Sequence, residues 1–249
     1  MPLIAAAETA SATRRRASSN GMGFWHTTCL GGSRYRPDPA PPPPPGALYA
    51  MAFLVEQDPD TTVQAHFHQA DQFQVVVAGG GTLGTHAVAP VAVHFTAAYS
   101  PYGPIRAGAD GLAYFTLRNG WDPGARYMPG ARADLPRPRH HREAIGTPAP
   151  VLADPAAAPV CEPALPAQPD GLAAWRYRLP AGAPLAGPDP TVGAGQYWLV
   201  LGGSLLRDDT VLGPRSCLFV APDEPGLAAR AGGGGLDLLA MQFPRRADA

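Results

Sequence analysis

The chain has 249 residues, a formal net charge of −1 at pH 7 and 45% hydrophobic residues. This length is enough for one large domain or two small ones, each with a sizeable core. The near-neutral charge, with no basic run near the predicted core, argues against a nucleic-acid partner. Three widely spaced cysteines give no disulfide framework, and no apolar run reaches the roughly 20 residues that span a bilayer. We therefore expect a cytoplasmic protein with no membrane partner.

Residues 1–46 are predicted to form a disordered arm. The segment contains Arg14, Arg15 and Arg16, is nearly free of acidic residues, and ends in the proline tract 41–45, which is typical of a stiff spacer. It lacks the apolar core of a signal peptide. A transit peptide, plain disorder and a misplaced start remain open for this arm.

The rest of the chain is predicted to be all-β, because short apolar runs alternate with Gly, Pro and Asp turns and no helical period is sustained. We predict a first β domain over 47–118 and a second over 171–244. The proline-rich stretch 119–170 is predicted to be a linker, and 245–249 a tail.

The two β segments resemble each other in sequence. Residues 72–112 align without a gap to residues 196–236, with 12 identities in 41 positions. Among the identities, Gln72 meets Gln196 and Gly79 meets Gly203. Upstream, the same offset would place Phe53 on Tyr177. A fixed offset of this kind predicts a duplicated β domain.

Two motifs in the first segment resemble those of the cupin superfamily, whose members are small jelly-roll barrels. The first runs from Asp60 through His66-Phe67-His68 and Gln72 to Gly79, and the second runs from Phe95 through Pro101-Tyr102-Gly103 and Arg106 to Asp110. The resemblance covers residues 48–118 and 172–243. It implies a bicupin, with two tandem double-stranded β-helix barrels.

The resemblance implies a metal site in the first barrel only. The family's ligand positions fall on His66, His68, Gln72 and Arg106. His66 and His68 would share a face of a strand, and Gln72 offers a neutral carbonyl oxygen, whereas Arg106 cannot ligate. The implied cofactor is one weakly held divalent metal, Fe, Mn, Cu or Zn. Because Gln196 repeats Gln72 in the segment without histidines, a structural role for Gln72 stays open.

Two further residues are candidate ligand contacts at the barrel mouth. Arg106 could anchor a carboxylate or phosphate, although Arg230 at the matching position favours a structural ion pair, and compositional noise also stays open. Tyr102 could line a small-molecule pocket or simply pack a turn. Of the other histidines, His94 is predicted to be a core residue and His86 a solvated one.

The second barrel has no imidazole to bind a metal, since Pro190 and Val192 stand where His66 and His68 align. The function predicted is therefore a small-molecule-binding bicupin, monomeric or homodimeric. A metal-dependent oxygenase acting on an oxygen-rich substrate, and a non-catalytic sensor or scaffold, remain as alternatives. Whether the protein is an enzyme stays undecided.

Overall fold

A computed structural model describes residues 1–32, 41–146 and 156–245. The chain divides into two compact units, Ala12–Ala149 and a second made of Met1–Ser11 with Pro150–Ala249. We call them the first and second barrel. Both are antiparallel β structures, which confirms the predicted class of two tandem barrels. In these described ranges, no helix is long and apolar enough to cross a membrane.

The N-terminal 32 residues form three strands and a short helix, so the prediction of a disordered arm over 1–46 is wrong for them. Residues 33–40 of that arm lie outside the described part of the chain. The elements are β1 (Leu3–Ala5), the short helix α1 (Ala7–Ser11), β2 (Arg15–Ser19) and β3 (Met22–Leu30). Strand β1 pairs with β18 (Cys217–Val220) and strand β3 pairs with β4 (Met51–Gln57), and these contacts between distant segments cannot be read from local composition.

The first barrel is a nine-stranded sheet with the strand order β12-β9-β7-β10-β4-β3-β2, in which β5 also pairs with β10 and β8 with β7. A separate two-stranded sheet joins β11 to β6. The strands are β4 (Met51–Gln57), β5 (Thr62–Val63), β6 (His66–Phe67), β7 (Gln72–Leu83), β8 (His86–Val88), β9 (Val93–Thr96), β10 (Ile105–Arg118), β11 (Arg126–Tyr127) and β12 (Glu143–Gly146).

The predicted boundary of the first domain at residue 118 is too narrow. Strands β11 and β12 and a short 3₁₀ helix (Gly130–Asp134) fall in the stretch predicted as a linker, yet β11 pairs with the strand that carries His66. Residues 147–155 of that stretch lie outside the described residues. The prolines suggested a linker, but prolines are also accepted at strand edges and in turns.

The second barrel repeats the same strand order, β1-β18-β16-β19-β14-β13, with β15 on β19 and β17 on β16. The N-terminal strand β1 occupies the edge that β12 occupies in the first barrel. The remaining elements are β13 (Val160–Leu165), β14 (Ala173–Leu179), β15 (Pro184–Ala186), a 3₁₀ helix (Pro190–Val192), β16 (Gln196–Arg207), β17 (Thr210–Leu212), β18 (Cys217–Val220) and β19 (Ala228–Gln242).

The strands of the two barrels follow the offset seen in the sequence. Strands β16, β17 and β18 begin 124 residues after β7, β8 and β9. Gly79 and Gly203 both have a positive φ, and a Cβ on either would lie 2.1 Å from a carbonyl oxygen of the neighbouring strand. Upstream the offset changes: Phe53 is opposite Thr116 and Trp175 is opposite Ala240, so Phe53 corresponds to Trp175 rather than Tyr177.

His26 is a buried titratable group in the N-terminal 32 residues. It lies on β3, is fully buried, and stacks on Phe53 with ring centroids 4.9 Å apart. Burial, assisted by the positive charge of Arg15, lowers the pKa of its imidazole from 6.5 to about 4. The folded protein therefore resists protonation of this ring.

We expect His26 to make stability depend on pH. A lowered folded pKa gives stability that is complete above pH 6.5 and is lost as the pH falls towards 4, by about 3 kcal/mol at most. Urea unfolding at a series of pH values should show this fall, and His26→Gln should reduce it. The exposed His86→Gln is the control and should behave as wild type. Identical profiles for wild type and His26→Gln would contradict the assignment.

Candidate functional site

A cavity of about 90 Å³ lies inside the first barrel. By this measure a water molecule needs roughly 10–15 Å³, so the cavity has room for several waters or one small organic molecule. Strands β3 and β4 supply apolar walls, and the partly exposed loop 123–125 lines the cavity mouth with Tyr127. The polar side chains at its inner side are His66, His68, Gln74, Tyr102, Thr116, Arg118 and Asp122.

The structure brings His66 and His68 together on the cavity side. Their rings lie edge to face with centroids 5.1 Å apart, and both residues are buried. The backbones of His66 and Tyr102 exchange two hydrogen bonds, of 3.1 and 2.9 Å, which fix the two sequence motifs against each other. Gln72 and Tyr102 join this cluster, so four of the five predicted site residues are neighbours.

The hydrogen bonds around Tyr102 have one consistent direction. Arg118 can only donate, and its Nε and Nη2 lie 3.1 and 3.0 Å from Oε1 of Gln72. The Gln72 amide nitrogen donates to the Tyr102 hydroxyl at 2.6 Å. At the other end, Nδ1 of His66 donates to the Gln64 carbonyl oxygen at 2.7 Å, because a carbonyl only accepts. Nε2 of neutral His66 therefore accepts the Tyr102 hydroxyl hydrogen at 2.8 Å.

Burial reinforces this arrangement of protons. It lowers the pKa of His66 to about 3, with the neighbouring His68 acting in the same direction, and it raises the pKa of the Tyr102 hydroxyl above its ordinary value. The imidazole thus stays neutral and the phenol stays protonated over the physiological range. The side chains from Arg118 through Gln72 and Tyr102 to His66 therefore form a chain of hydrogen bonds with a fixed direction, in which the His66 nitrogen and the Gln72 oxygen are already occupied as acceptors.

Asp122 holds the other end of the cluster together. Its carboxylate accepts hydrogen bonds from His68 Nδ1 and from the backbone of Gln69 and Gly124, at 2.7 to 2.8 Å, and lies 3.3 Å from Arg118 Nη1. Burial alone raises the pKa of this carboxyl, but Arg118 and His68 outweigh burial and hold it below its usual range. The buried charges of Arg118 and Asp122 are therefore paired with each other.

These contacts do not fit a metal ion held by His66, His68 and Gln72. The His66 nitrogen that would ligate accepts the Tyr102 hydroxyl, and the Gln72 oxygen that would ligate accepts two N–H groups of Arg118. The guanidinium would also repel a cation at this position. Within the described residues, no three His, Cys, Asp or Glu side chains form a group that could hold a metal.

Arg106 does not contribute to the cavity. It lies on β10 opposite Thr62 and Thr82, its side chain is exposed, and the buried neighbours Ile105 and Ala107 take the inward direction. The expectation that Arg106 anchors a ligand at the barrel mouth is wrong, because strand alternation turns it to solvent. Its copy Arg230 is likewise exposed.

Arg118 is the arginine that does line the cavity, and sequence reasoning missed it together with Asp122. Arg118 aligns at the same offset with Gln242, which forms a 2.9 Å hydrogen bond with Gln196. In both barrels, the residue at this position therefore hydrogen-bonds the glutamine that begins the neighbouring strand: Arg118 with Gln72, and Gln242 with Gln196. Extending the sequence alignment to the end of β10 places Arg118 on Gln242 and is the signal that could have found Arg118. Asp122 follows the strand in a loop and carries no motif signal.

Gln74 and Thr116 were also missed, and they face each other across β7 and β10 inside the cavity. Oε1 of Gln74 lies 3.1 Å from the buried His94, but within the described residues no protein partner is found for the Gln74 amide nitrogen or the Thr116 hydroxyl. Both groups are therefore available to a molecule in the cavity.

The second barrel fills the equivalent space with apolar side chains. Trp198 stands opposite Ala240 at the positions of Gln74 and Thr116, and Leu218 stands where the first barrel has His94. All three are fully buried within one hydrophobic cluster. The polar, cavity-lining set is therefore specific to the first barrel.

Comparisons with known proteins agree with the fold. No protein-family model and no curated protein sequence match the chain. A "putative dioxygenase" from Nostoc punctiforme superposes with a TM-score of 0.65 at 13% identity, over 100% of this chain and 85% of that one. The Escherichia coli pirin YhhW, solved in complex with nickel(II), gives 0.55 at 12% identity, over 98% of this chain and 100% of that one.

A third similar structure is Bacillus subtilis oxalate decarboxylase, studied for its Mn(II) centres, with a TM-score of 0.56 at 9% identity over 96% of this chain and 77% of that one. At these identities the likeness shows the fold alone. Together with the repeated strand order, it identifies the architecture as two tandem barrels of the cupin type.

We expect the Arg118–Asp122 pair to be strongly coupled. Arg118→Gln introduces the residue that Gln242 provides in the second barrel, but it leaves the buried carboxylate of Asp122 without its cation. Asp122→Asn leaves the buried guanidinium of Arg118 without its anion. Each variant should lose about 3–5 kcal/mol of unfolding free energy. The double variant should lose much less than the sum, because no isolated charge remains. Chemical denaturation of all four proteins measures this coupling.

The exposed pair Arg16–Asp58 provides the matched control, since the same Gln and Asn substitutions there should change stability little. Strict additivity of Arg118→Gln and Asp122→Asn would show that the two buried charges do not stabilise each other.

Proposed function

We propose that the first barrel binds a small, uncharged and largely apolar molecule that carries a hydroxyl or carbonyl group, and that it does so without a metal ion. The observation that carries this proposal is the facing pair of Gln74 and Thr116 in a cavity whose outer walls are apolar and whose inner polar cluster is hydrogen-bonded within itself. Few polar groups in an apolar pocket are typical of small-molecule sites.

The charges of the cavity favour a neutral ligand. Arg118 and Asp122 neutralise each other, and His66 is held neutral by burial. An anionic or cationic ligand would lose hydration on entering and would gain no unpaired counter-charge. The Gln74 amide can donate to a carbonyl or hydroxyl oxygen, and the Thr116 hydroxyl can donate or accept.

The walls select for an apolar body. Met22 and Phe24 on β3 line the cavity together with Met51, Phe53 and Val55 on β4, and all five are buried in the same hydrophobic cluster as the inner strands. Methionine side chains adapt to ligands of irregular shape, and Phe offers a flat contact face. An aromatic or unsaturated ring with one oxygen substituent satisfies both the walls and the polar pair.

The two barrels support a division of roles. We infer that they descend from one duplicated domain, that the first retains the ligand site, and that the second stabilises the fold, since Trp198 occupies its interior. This proposal keeps a small molecule as the partner of the protein.

A thermal-shift screen of small phenols, aromatic ketones and alcohols tests the ligand class, because a ligand that binds only the folded state raises Tm. We expect hits that still raise the Tm of Thr116→Ser, which keeps the hydroxyl. Thr116→Val removes the hydroxyl, and its affinity for the same compounds should be about fivefold to tenfold weaker. Gln74→Trp reproduces the second barrel and should abolish binding.

Equal binding by Thr116→Val, Gln74→Trp and wild type would place the ligand elsewhere. A complete lack of hits, with cooperative unfolding intact, would favour the scaffold alternative.

A metal-dependent oxygenase remains a second candidate because of one observation. Asp122 accepts a hydrogen bond from His68, and a carboxylate in that position is typical of histidines that bind metals. The similar pirin was solved with nickel(II), and the similar oxalate decarboxylase has Mn(II) centres, which agrees with this candidate.

Nickel and manganese retention separates the two candidates. We expect protein incubated with either ion and then desalted to retain clearly less than one equivalent by elemental analysis, because metal binding must displace the Tyr102 hydroxyl from His66. Retention near one equivalent that is lost in His66→Ala would overturn the metal-free proposal. His86→Ala, on an exposed histidine, is the control for adventitious binding.

A further inference from the structure

A second cavity, of about 170 Å³, lies in the first-barrel unit but shares no lining residue with the barrel cavity. We call it the lateral cavity. One part of its lining is apolar or aromatic and the other is basic. The apolar part consists of Tyr99, Pro101, Met128, Leu135 and Pro136, and the basic part of Arg132, Arg139, His140 and His141.

These basic residues belong to an arginine-rich stretch of an otherwise near-neutral chain. Residues 126–143 contain five of the 19 arginines and only two acidic residues, Asp134 and Glu143. Neither carboxylate lines the lateral cavity: Asp134 pairs with Arg126, and Glu143 lies 2.9 Å from His94 and 3.5 Å from His141. In the part of the chain that the structure describes, no ion pair is found for Arg132 or Arg139.

The polar chemistry of the lateral cavity is therefore almost entirely that of donors. Each guanidinium offers five N–H groups and no acceptor, and an imidazole offers at least one N–H. Arg132 and Arg139 together bring a charge of +2. A phosphate monoester carries about −1.5 to −2 at neutral pH and three acceptor oxygens, so it matches both the charge and the donors better than a carboxylate does.

The opposite wall supplies a surface for an organic group. Tyr99 has a φ of 59°, a left-handed conformation that is unusual for a bulky side chain. Its backbone N–H donates to the carbonyl oxygen of His68 at 2.7 Å, and Ser100 closes the turn by donating to Ala97 at 3.1 Å. The fold thus maintains a strained residue at the cavity wall, which is common at ligand sites.

We propose that the lateral cavity is a binding site for a small organic phosphate monoester. Arg132 and Arg139 hold the phosphate, with His140 and His141 beside them. Tyr99 and Leu135 contact the organic part. This site is separate from the neutral-ligand site inside the barrel and does not depend on it.

Isothermal titration calorimetry with phenyl phosphate tests the site, using the full-length protein at fixed ionic strength. We expect saturable binding that Arg139→Ala and Arg132→Ala each weaken about tenfold or more, because each removes charge-assisted hydrogen bonds. Arg137→Ala is the matched control: it removes the same charge from the same exposed stretch but from outside the cavity, and it should weaken binding less than twofold.

Two further probes resolve the ligand chemistry. Benzoate, a monoanion of similar shape, and inorganic phosphate, which lacks the ring, should both bind more weakly than phenyl phosphate. Benzoate binding as tightly as phenyl phosphate would overturn the phosphate assignment.

Two other outcomes would overturn the site itself. Equal weakening by Arg137→Ala and Arg139→Ala would mean diffuse attraction to a basic stretch. No binding of phenyl phosphate at millimolar concentration, by a wild-type protein that unfolds cooperatively, would mean that the cavity is not a phosphate site. The arginines concerned are exposed, so the variants are expected to fold.

Discussion

The buried pairing of Arg118 with Asp122 is the constraint on which the first-barrel site depends. Arg118 can only donate hydrogen bonds and Asp122, being ionised, can only accept them. Arg118 therefore fixes the orientation of the Gln72 amide, and through it the direction of the Tyr102 hydroxyl. Asp122 fixes His68 and ties down the loop that follows β10. Burial makes each of these bonds costly to leave unmade.

The same scaffold supports two different interiors. Both barrels share one strand order and the paired glycines where β7 crosses β10 and β16 crosses β19. In the first barrel the facing positions are Gln74 and Thr116, and in the second they are Trp198 and Ala240. With Leu218 in place of His94 as well, the second barrel has a packed apolar cluster where the first has a polar cavity. The two barrels thus share the backbone arrangement of their strands while their interior side chains differ.

The sequence predicts the two barrels and the proximity of His66, His68 and Tyr102, because both depend on local spacing. Alternation and the turn glycines predicted the strands, and the spacing of the two motifs placed His66 close to Tyr102. The approach failed where distant strands decide the outcome. The N-terminal segment was assigned to disorder by composition, although β1 pairs with β18 more than 200 residues away. The motif spacing indicates Arg106 and gives no signal for Arg118, because a motif position does not show which way a strand residue points.

The amino-acid sequence by itself determined the all-β class with two tandem barrels and the restriction of imidazoles to the first barrel, because these follow from periodicity and residue type. Only the tertiary structure decided what the histidines do. His66 and His68 converge as their spacing predicts. Whether they are open to a metal depends on Tyr102 and Asp122, which reach them from positions 36 and 54 residues further along the chain. Those hydrogen bonds exist only once the barrel has closed.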